Sequence, residues 1–446
     1  MPDAWFSGYL QTGMTAGTGD KDFVAPHLGG RIPTACLMTS GSSSPGLAHA
    51  VGATDGTNEF VIGCSAEDNQ NRPDTKQYRN TAACIAQIDH DAGGGGVTLN
   101  FLASFVTFIP GGVRLNFSIA VTVVSQSIVF QFFGGDDLGI EVGNFTASAT
   151  ATNTDTLTFG GAISSWSALM AFRTPNMNTG NHGGFCNGVV SRSGGNSTGQ
   201  CIHYSSEDNP GAAVCTYGTF DDEFLRIVDP QDTANAWAIS RTGAADTSIT
   251  LTKNENDFTG SHLFDYVAID SPFQVKANMI ETLSSVGDWD VTDVGFKPEG
   301  LFGFGSAHTS AQRNTTQSGS TGTNIGICMW QDIGEFNEGY TLGNDDDTAD
   351  PTETGAGESG GMIECKREAS GLFSSRFRVG GLAADTHTRR FTPTGWHVDS
   401  AEIFAAEEAV TFAYCAFQGS GNDDELVHLH APAANPVIYQ GPMPRM

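Results

Sequence analysis

Apolar and polar residues alternate over short runs along most of this chain, and long runs with helical periodicity are scarce. The stretches 97–108 (VTLNFLASFVTF), 112–124 (GVRLNFSIAVTVV), 127–133 (SIVFQFF), 247–253 (TSITLTK) and 263–269 (LFDYVAI) alternate or are β-branched. So do 301–305 (LFGFG), 375–381 (SRFRVGG) and 410–417 (VTFAYCAF). Successive side chains of a strand point to opposite faces, so period-two alternation marks a half-buried strand. Gly, Asn, Asp and Ser cluster between the runs, as turns require. The most apolar segment, 117–133, is interrupted by Ser, Thr and Gln. It is too short and too alternating for a membrane helix, and it predicts strand, turn, strand. Two stretches predict helix: 400–410 (SAEIFAAEEAV), with Ser400 as N-cap, and, with a weaker signal, 278–286 (NMIETLSSV).

The pattern recurs. WFSGYLQTG, IEVGNFTAS and VKANMIETL look like segment starts, and their first residues, Trp5, Ile140 and Val275, fall at equal intervals. After each comes an apolar strand: TACLMTSG (34–41), ALMAFRTP (168–175) and GLFGFGSA (300–307). A Cys-bearing strand follows, in VIGCSAEDN (61–69), GQCIHYSSEDN (199–209) and IGICMWQDIG (325–334). Then come TAACIAQID (81–89), EFLRIVD (223–229) and GMIECKRE (361–368), and an aromatic strand closes each set. This order predicts an all-β chain of three tandem β-sandwich, jelly-roll-like domains with short connections and little helix. The expected boundaries are 1–136, 137–271 and 272–420, with an exposed acidic loop inserted at 341–361 and an extended C-terminal arm at 421–446.

Composition narrows the function. The 446 residues include 56 Gly but only 21 Lys plus Arg, and 29 Phe supply apolar material for several modest cores. A net charge of −29 argues against a nucleic-acid partner, because phosphate binding needs clustered cations. The nine Cys include no C-x-x-C pair and mostly sit in apolar runs, which predicts small buried thiols made in a reducing cytoplasm. The N-terminal MPDAWFSGYL lacks the basic and apolar regions of a signal peptide.

Candidate chemistry is sparse. SAEDN and SSEDN place Glu67 beside Asp68 and Glu207 beside Asp208, with Asp332 in QDIG as the expected third counterpart. Asp and Asn in turns accept hydrogen bonds from their own following backbone, so a repeated turn is favoured over a metal or acid–base pair. Asp345, Asp346 and Asp347 suggest calcium, but the EF-hand spacing is missing. His428 and His430 in HLH share one side of an extended segment without an evident third ligand. GGGG at 93–96 is not followed by G-K-[ST], so it predicts a turn and not a phosphate loop. No nucleophile elbow or zincin motif is present, and none of the scattered His residues recurs at one landmark in all three segments. No catalytic, cofactor or metal residue is therefore assigned.

One motif carries a resemblance. DVGFKPEGLFGFGSA (293–307) places Gly295, Phe296 and Pro298 before an apolar strand, and Ala416, Phe417 and Gly419 close the segment. This resembles the G-F-x-P-type β-sandwich repeats of tailed-bacteriophage virion structural proteins. The first segment keeps only Phe23 and either Pro26 or Pro33, and the second has no Pro. The resemblance implies a virion protein assembled in the host cytoplasm. It would be tail-associated (fibre, tip or adhesin) or a head decoration, and not an enzyme. Pro298 fixes its own φ and holds Lys297 extended, Gly295 permits a sharp turn, and Phe296 can plug a sandwich end.

The partners expected are other virion proteins and further copies of the chain, with a trimer among the candidate states. Nucleic acid and membrane insertion are not expected. Two alternatives compete. A carbohydrate-binding array would use Trp166, Trp237, Trp289, Trp330 and Trp396 on sugars, including host-surface glycan. A polysaccharide-degrading virion enzyme would use Glu67, Asp68, Glu207 and Asp208.

Overall fold

The computed structural model describes residues 2–12, 14–41, 47–66, 75–89, 98–121, 127–148, 153–173, 182–193, 198–207, 215–229, 236–256, 262–281, 287–306, 314, 317–319, 324–332, 337–345, 355–359, 364–369, 372–378, 389–404 and 411–420. Among the described residues the chain is almost wholly strand, and the one helical piece is a 3-10 turn at Pro26–Leu28.

The strands fall into three sets. The first holds β1 (Trp5–Thr12), β2 (Gly17–Val24), β3 (Ala35–Gly41), β4 (Leu47–Thr54), β5 (Glu59–Ala66), β6 (Thr75–Asn80), β7 (Ile85–Asp89), β8 (Thr98–Ile109), β9 (Gly112–Val121) and β10 (Ser127–Gly134). The second holds β11 (Gly139–Ala147), β12 (Thr154–Thr158), β13 (Ala168–Arg173), β14 (His182–Ser191), β15 (Gln200–Glu207), β16 (Cys215–Phe220), β17 (Leu225–Val228), β18 (Ala236–Ala245), β19 (Ser248–Asn256) and β20 (His262–Asp270). The third holds β21 (Val275–Glu281), β22 (Gly287–Val291), β23 (Gly300–Ser306), β24 (Gln317–Gly319), β25 (Asn324–Asp332), β26 (Asn337–Asp345), β27 (Gly355–Ser359), β28 (Glu364–Ala369), β29 (Leu372–Arg378), β30 (Arg389–Thr392), β31 (Gly395–Phe404) and β32 (Thr411–Phe417).

Each set makes one large and one small antiparallel sheet in the same order. The large sheets run β1-β10-β3-β4-β5-β6, β11-β20-β13-β14-β15-β16 and β21-β32-β23-β25-β26-β27; the small ones run β2-β9-β8-β7, β12-β19-β18-β17 and β22-β31-β29-β28. The last strand returns to lie between the first and third, and the penultimate strand lies beside the second. Those two pairings roll the chain up as in a jelly roll, while the strands between them run as meanders. β24 and β30 are additions in the third set. β24 leaves its own set and extends the second large sheet by pairing with β16.

The core explains why the closing strands are so apolar. Phe130, Phe132 and Ile128 of β10 fill the first sandwich with Phe23, Phe101 and Phe117. Phe264, Tyr266 and Ala268 of β20 fill the second with Trp166, Trp237 and Leu251. The opposite faces of the same strands do not meet water. Val129 and Phe133, Val267 and Ile269, and Ala413, Cys415 and Phe417 meet in one further cluster with residues of all three large sheets. The register is equivalent three times: Phe6–Phe133–Ala35, Ile140–Ile269–Ala168 and Val275–Phe417–Gly300 run across the sheets as matching rows. The three large sheets therefore enclose a shared core, and each small sheet lies outside its own large one. A strand buried on both faces needs apolar residues at consecutive positions, as the fully buried Thr411–Phe417 shows.

Three sequence expectations change. Ser400–Phe404, part of the expected helix at 400–410, is the end of β31, with Phe404, Ile403 and Glu402 opposite Arg376, Phe377 and Arg378. Strand pairing overrides the helix propensity of Ala and Glu; residues 405–410 lie outside the described residues. Asn278–Glu281 belongs to β21, whose Val275, Ala277 and Met279 face the shared core with period two. The rest of that stretch, 282–286, lies outside the described residues. The acidic segment 341–361 is not one loop, because Thr341–Asp345 closes β26 and Gly355–Ser359 forms β27.

Candidate functional site

The acidic residues singled out by sequence do not assemble into a site among the described residues. Glu67 and Asp68 follow the end of β5 and lie outside the described residues, as does Asp208, while Glu207 is the last residue of β15. Asp332 ends β25, but β25 pairs directly with β23, as β4 pairs with β3 and β14 with β13. It is thus the counterpart of β4 and β14, and QDIG is not the counterpart of the two EDN stretches. That place belongs to Asp345 at the end of β26. Asp346, Asp347, His428, His430, the GGGG segment and the arm 421–446 lie outside the described residues. Among the described residues no group of three His, Cys, Asp or Glu is placed to hold a metal ion. No helix there is long and apolar enough to cross a membrane.

Three of the five tryptophans proposed for sugar stacking are enclosed. Trp166, Trp237 and Trp396 are each at most 1% exposed. Trp166 donates its indole N–H to the Ala245 carbonyl at 2.9 Å, and Trp396 meets Tyr414 edge to face. They are packing residues of the sandwiches. The G-F-x-P turn behaves as its residue types suggest. Gly295 has φ +85°, Phe296 is buried, and the Gly295 N–H donates to the Thr394 carbonyl. The same link is tied to the same hairpin elsewhere: the Ala25 N–H donates to the Gly111 carbonyl, and the Phe159 N–H to that of Thr247.

A polar concavity lies on the seam between the first two sets. It encloses about 440 Å³ and is lined by Thr57, Asn58, Glu59, Thr81, Asn144 and Asp265, among others. Alternation along β20 puts Asp265 on the face of Val267 and Ile269, turned toward the first set. There Arg79 of β6 meets it with both arms, Nε to Oδ2 at 2.7 Å and Nη2 to Oδ1 at 2.6 Å. Burial still pushes the Asp265 carboxyl above the usual range, with Arg79 opposing the shift. Glu59, at the start of β5, accepts the Phe105 N–H at 2.7 Å, and burial raises it as well.

Beside them the β4–β5 turn is pinned by Asp55. Its Oδ1 accepts the N–H groups of Thr57 and Asn58, and its Oδ2 accepts that of Val142 in β11. Asp265 and Asp55 each bond across the seam, while Glu59 is engaged within the first set, so the arrangement fastens one set of strands to the next. The hydroxyl and amide groups on the wall remain suited to hydrogen bonding with a polar, hydroxyl-rich ligand.

The other seams are tied differently. The Ala277 N–H donates to Ser191 Oγ and Gln200 Nε2 to Asn278 Oδ1 between the second and third sets. Asn314 reaches from the third set to Asp221 of the second, and the Ser420 N–H donates to the Ala4 carbonyl, joining the third set to the first. Sequence inspection passed over Arg79, Asp265 and Glu59 because they form no motif. The available signal was a lone carboxylate inside the apolar run LFDYVAI, which needs a partner if that face is buried.

No protein-family model matches the chain, and no curated protein matches it.

Proposed function

We propose that the chain is a structural component of a tailed-phage virion, on the tail (fibre, tip or adhesin) or as a head decoration, acting through assembly and surface contact and not catalysis. The observation that supports this is the shared core. One polypeptide closes three similar sandwiches around a common apolar centre, which makes a body with three related flanks. A homotrimer of single sandwiches presents the same kind of body, and threefold positions are common in symmetric assemblies. The Arg79–Asp265 and Val142–Asp55 links across the seam support a fastening role over acid–base chemistry. Mass spectrometry of particles purified through a salt wash tests the proposal. The chain should be retained at an integral copy number per particle, and its loss with the soluble host proteins would refute it.

A second reading, binding of host-surface glycan, rests on the seam cleft with its Thr57, Asn58, Thr81 and Asn144 wall. A glycan array probed with the wild type and with Asn144→Ala distinguishes it. Retained binding in that variant would remove the cleft from consideration.

A further inference from the structure

A buried cation at one end of the second sandwich has no counter-charge among the described residues. Arg173 is the last residue of β13, and alternation places it on the face of Leu169 and Ala171, inside the sandwich. It is 2% exposed. Its Cζ lies 4.0 Å from the centre of the Trp237 ring, and its Nη2 donates to Nδ1 of His262 at 2.6 Å. Among the described residues its Nε and Nη1 have no hydrogen-bond partner, and neither does the indole Nε1 of Trp237. Among the described residues no carboxylate forms an ion pair with it.

The chemistry of these atoms is one-sided. A guanidinium and an indole N–H only donate. A guanidinium cannot accept, so Nδ1 of His262 is the acceptor, the imidazole proton sits on Nε2, and the ring is neutral and supplies no compensating charge. Burial lowers the Arg173 pKa to about 9, which leaves it charged at neutral pH. A buried charge without a partner is costly, and the partner missing here must be an acceptor carrying negative charge.

We propose that Arg173, with the indole N–H of Trp237, forms an enclosed binding site for a small inorganic anion of the halide class. The site is independent of any role in a particle, so its test stands apart from the test of the virion reading. The wild type is melted in sodium chloride and in sodium isethionate at equal ionic strength, isethionate being too large to be enclosed. Melting should be several degrees higher in chloride and rise with its concentration, as binding to the folded state alone requires. Arg173→Met should abolish the difference.

Arg173→Met can fail to fold, so crystals of the wild type soaked in bromide provide a second readout. An anomalous peak within hydrogen-bonding distance of the Arg173 guanidinium supports the site. Equal melting in the two salts together with no bromide peak overturns it. A chloride effect that survives in a folded Arg173→Met protein also overturns it.

Discussion

Phe6 of β1 and Phe417 of β32, from opposite ends of the chain, stack with ring centres 4.6 Å apart and planes inclined by 15°. Phe133 meets both rings edge to face. The last set is therefore closed onto the first through the shared core. Phe417→Ala should cost about 3–5 kcal/mol, the range for truncating a buried aromatic. The loss should fall on the whole molecule, with one cooperative transition in calorimetry for both proteins. An early transition in the variant that leaves the first two sets folded would show that the sets are independent.

Two glycines sit where the chain crosses from large to small sheet. A Cβ on Gly52 of β4 would lie 1.8 Å from the carbonyl oxygen of Cys84, and one on Gly188 of β14 would lie 1.9 Å from that of Phe224. Both carbonyls directly precede an edge strand of a small sheet, β7 and β17, so the same close approach occurs in the first two sets. Backbone cannot yield as a flexible side chain can. Gly52→Ala and Gly188→Ala should each destabilise by more than about 2 kcal/mol in denaturant titration. Gly161, exposed and with nothing within 4 Å of an added Cβ, serves as the control. Its alanine variant should fall within about 0.5 kcal/mol of wild type. Equal effects at the three positions would sink the steric explanation.

The strand content was legible because half-buried strands announce themselves by alternation, and β8, β9 and β10 lie where their apolar runs stand. The third strands β3, β13 and β23 likewise fall within the apolar runs at 34–41, 168–175 and 300–307. The slip at β25 arose because neighbouring strands both carry Cys, as Cys186 in β14 and Cys201 in β15 show, so Cys328 does not say which of the two β25 is. The shared core was hidden for a different reason. The apolar run of β32 is compatible with any strand buried on both faces and does not reveal what covers the second face. Asp265 and Arg173 were equally opaque, since each owes its significance to a partner far away in sequence.

Acidification should stabilise the protein between pH 7 and pH 5. Burial raises the carboxyls of Glu59, Asp222, Glu223 and Asp265 above the usual range. The folded state therefore takes up protons at a higher pH than the unfolded chain does. Stability from these groups is gained as pH falls through the raised values toward the ordinary carboxylate range, and it is lost again as pH rises. Asp22, held low by Arg114, acts in the opposite sense but is exposed. Self-repulsion from the net charge of −29 weakens in the same direction. Melting temperature should rise on going from pH 7 to pH 5, and Asp265→Asn should flatten that slope. A melting temperature that falls steadily over this interval would contradict the assignment.

Added salt should raise the melting temperature more at pH 7 than at pH 5. Screening acts on the unneutralised carboxylates of the acidic surface and leaves buried pairs such as Arg79–Asp265 nearly untouched. Calorimetry in sodium isethionate from low to moderate ionic strength checks this without engaging a halide site. A salt effect of equal size at both pH values would place the repulsion elsewhere.

Six thiols should behave as a clock for unfolding. Cys36, Cys64, Cys84, Cys186, Cys201 and Cys415 are all buried, and none is in a disulfide. Burial pushes Cys36, Cys84, Cys201 and Cys415 upward, so even a reagent that reached them would meet the thiol and not the nucleophilic thiolate. Alkylation of these positions at mildly alkaline pH must then wait for the core to open. Cys36 and Cys84 lie in the first sandwich, Cys186 and Cys201 in the second, and Cys415 in the shared core. If the shared core makes opening global, peptide mapping should find all six labelled at one common rate, and Phe417→Ala should accelerate them together. Fast labelling of Cys186 and Cys201, with Cys36, Cys84 and Cys415 still protected, would instead mean that the second sandwich opens alone while the shared core stays closed.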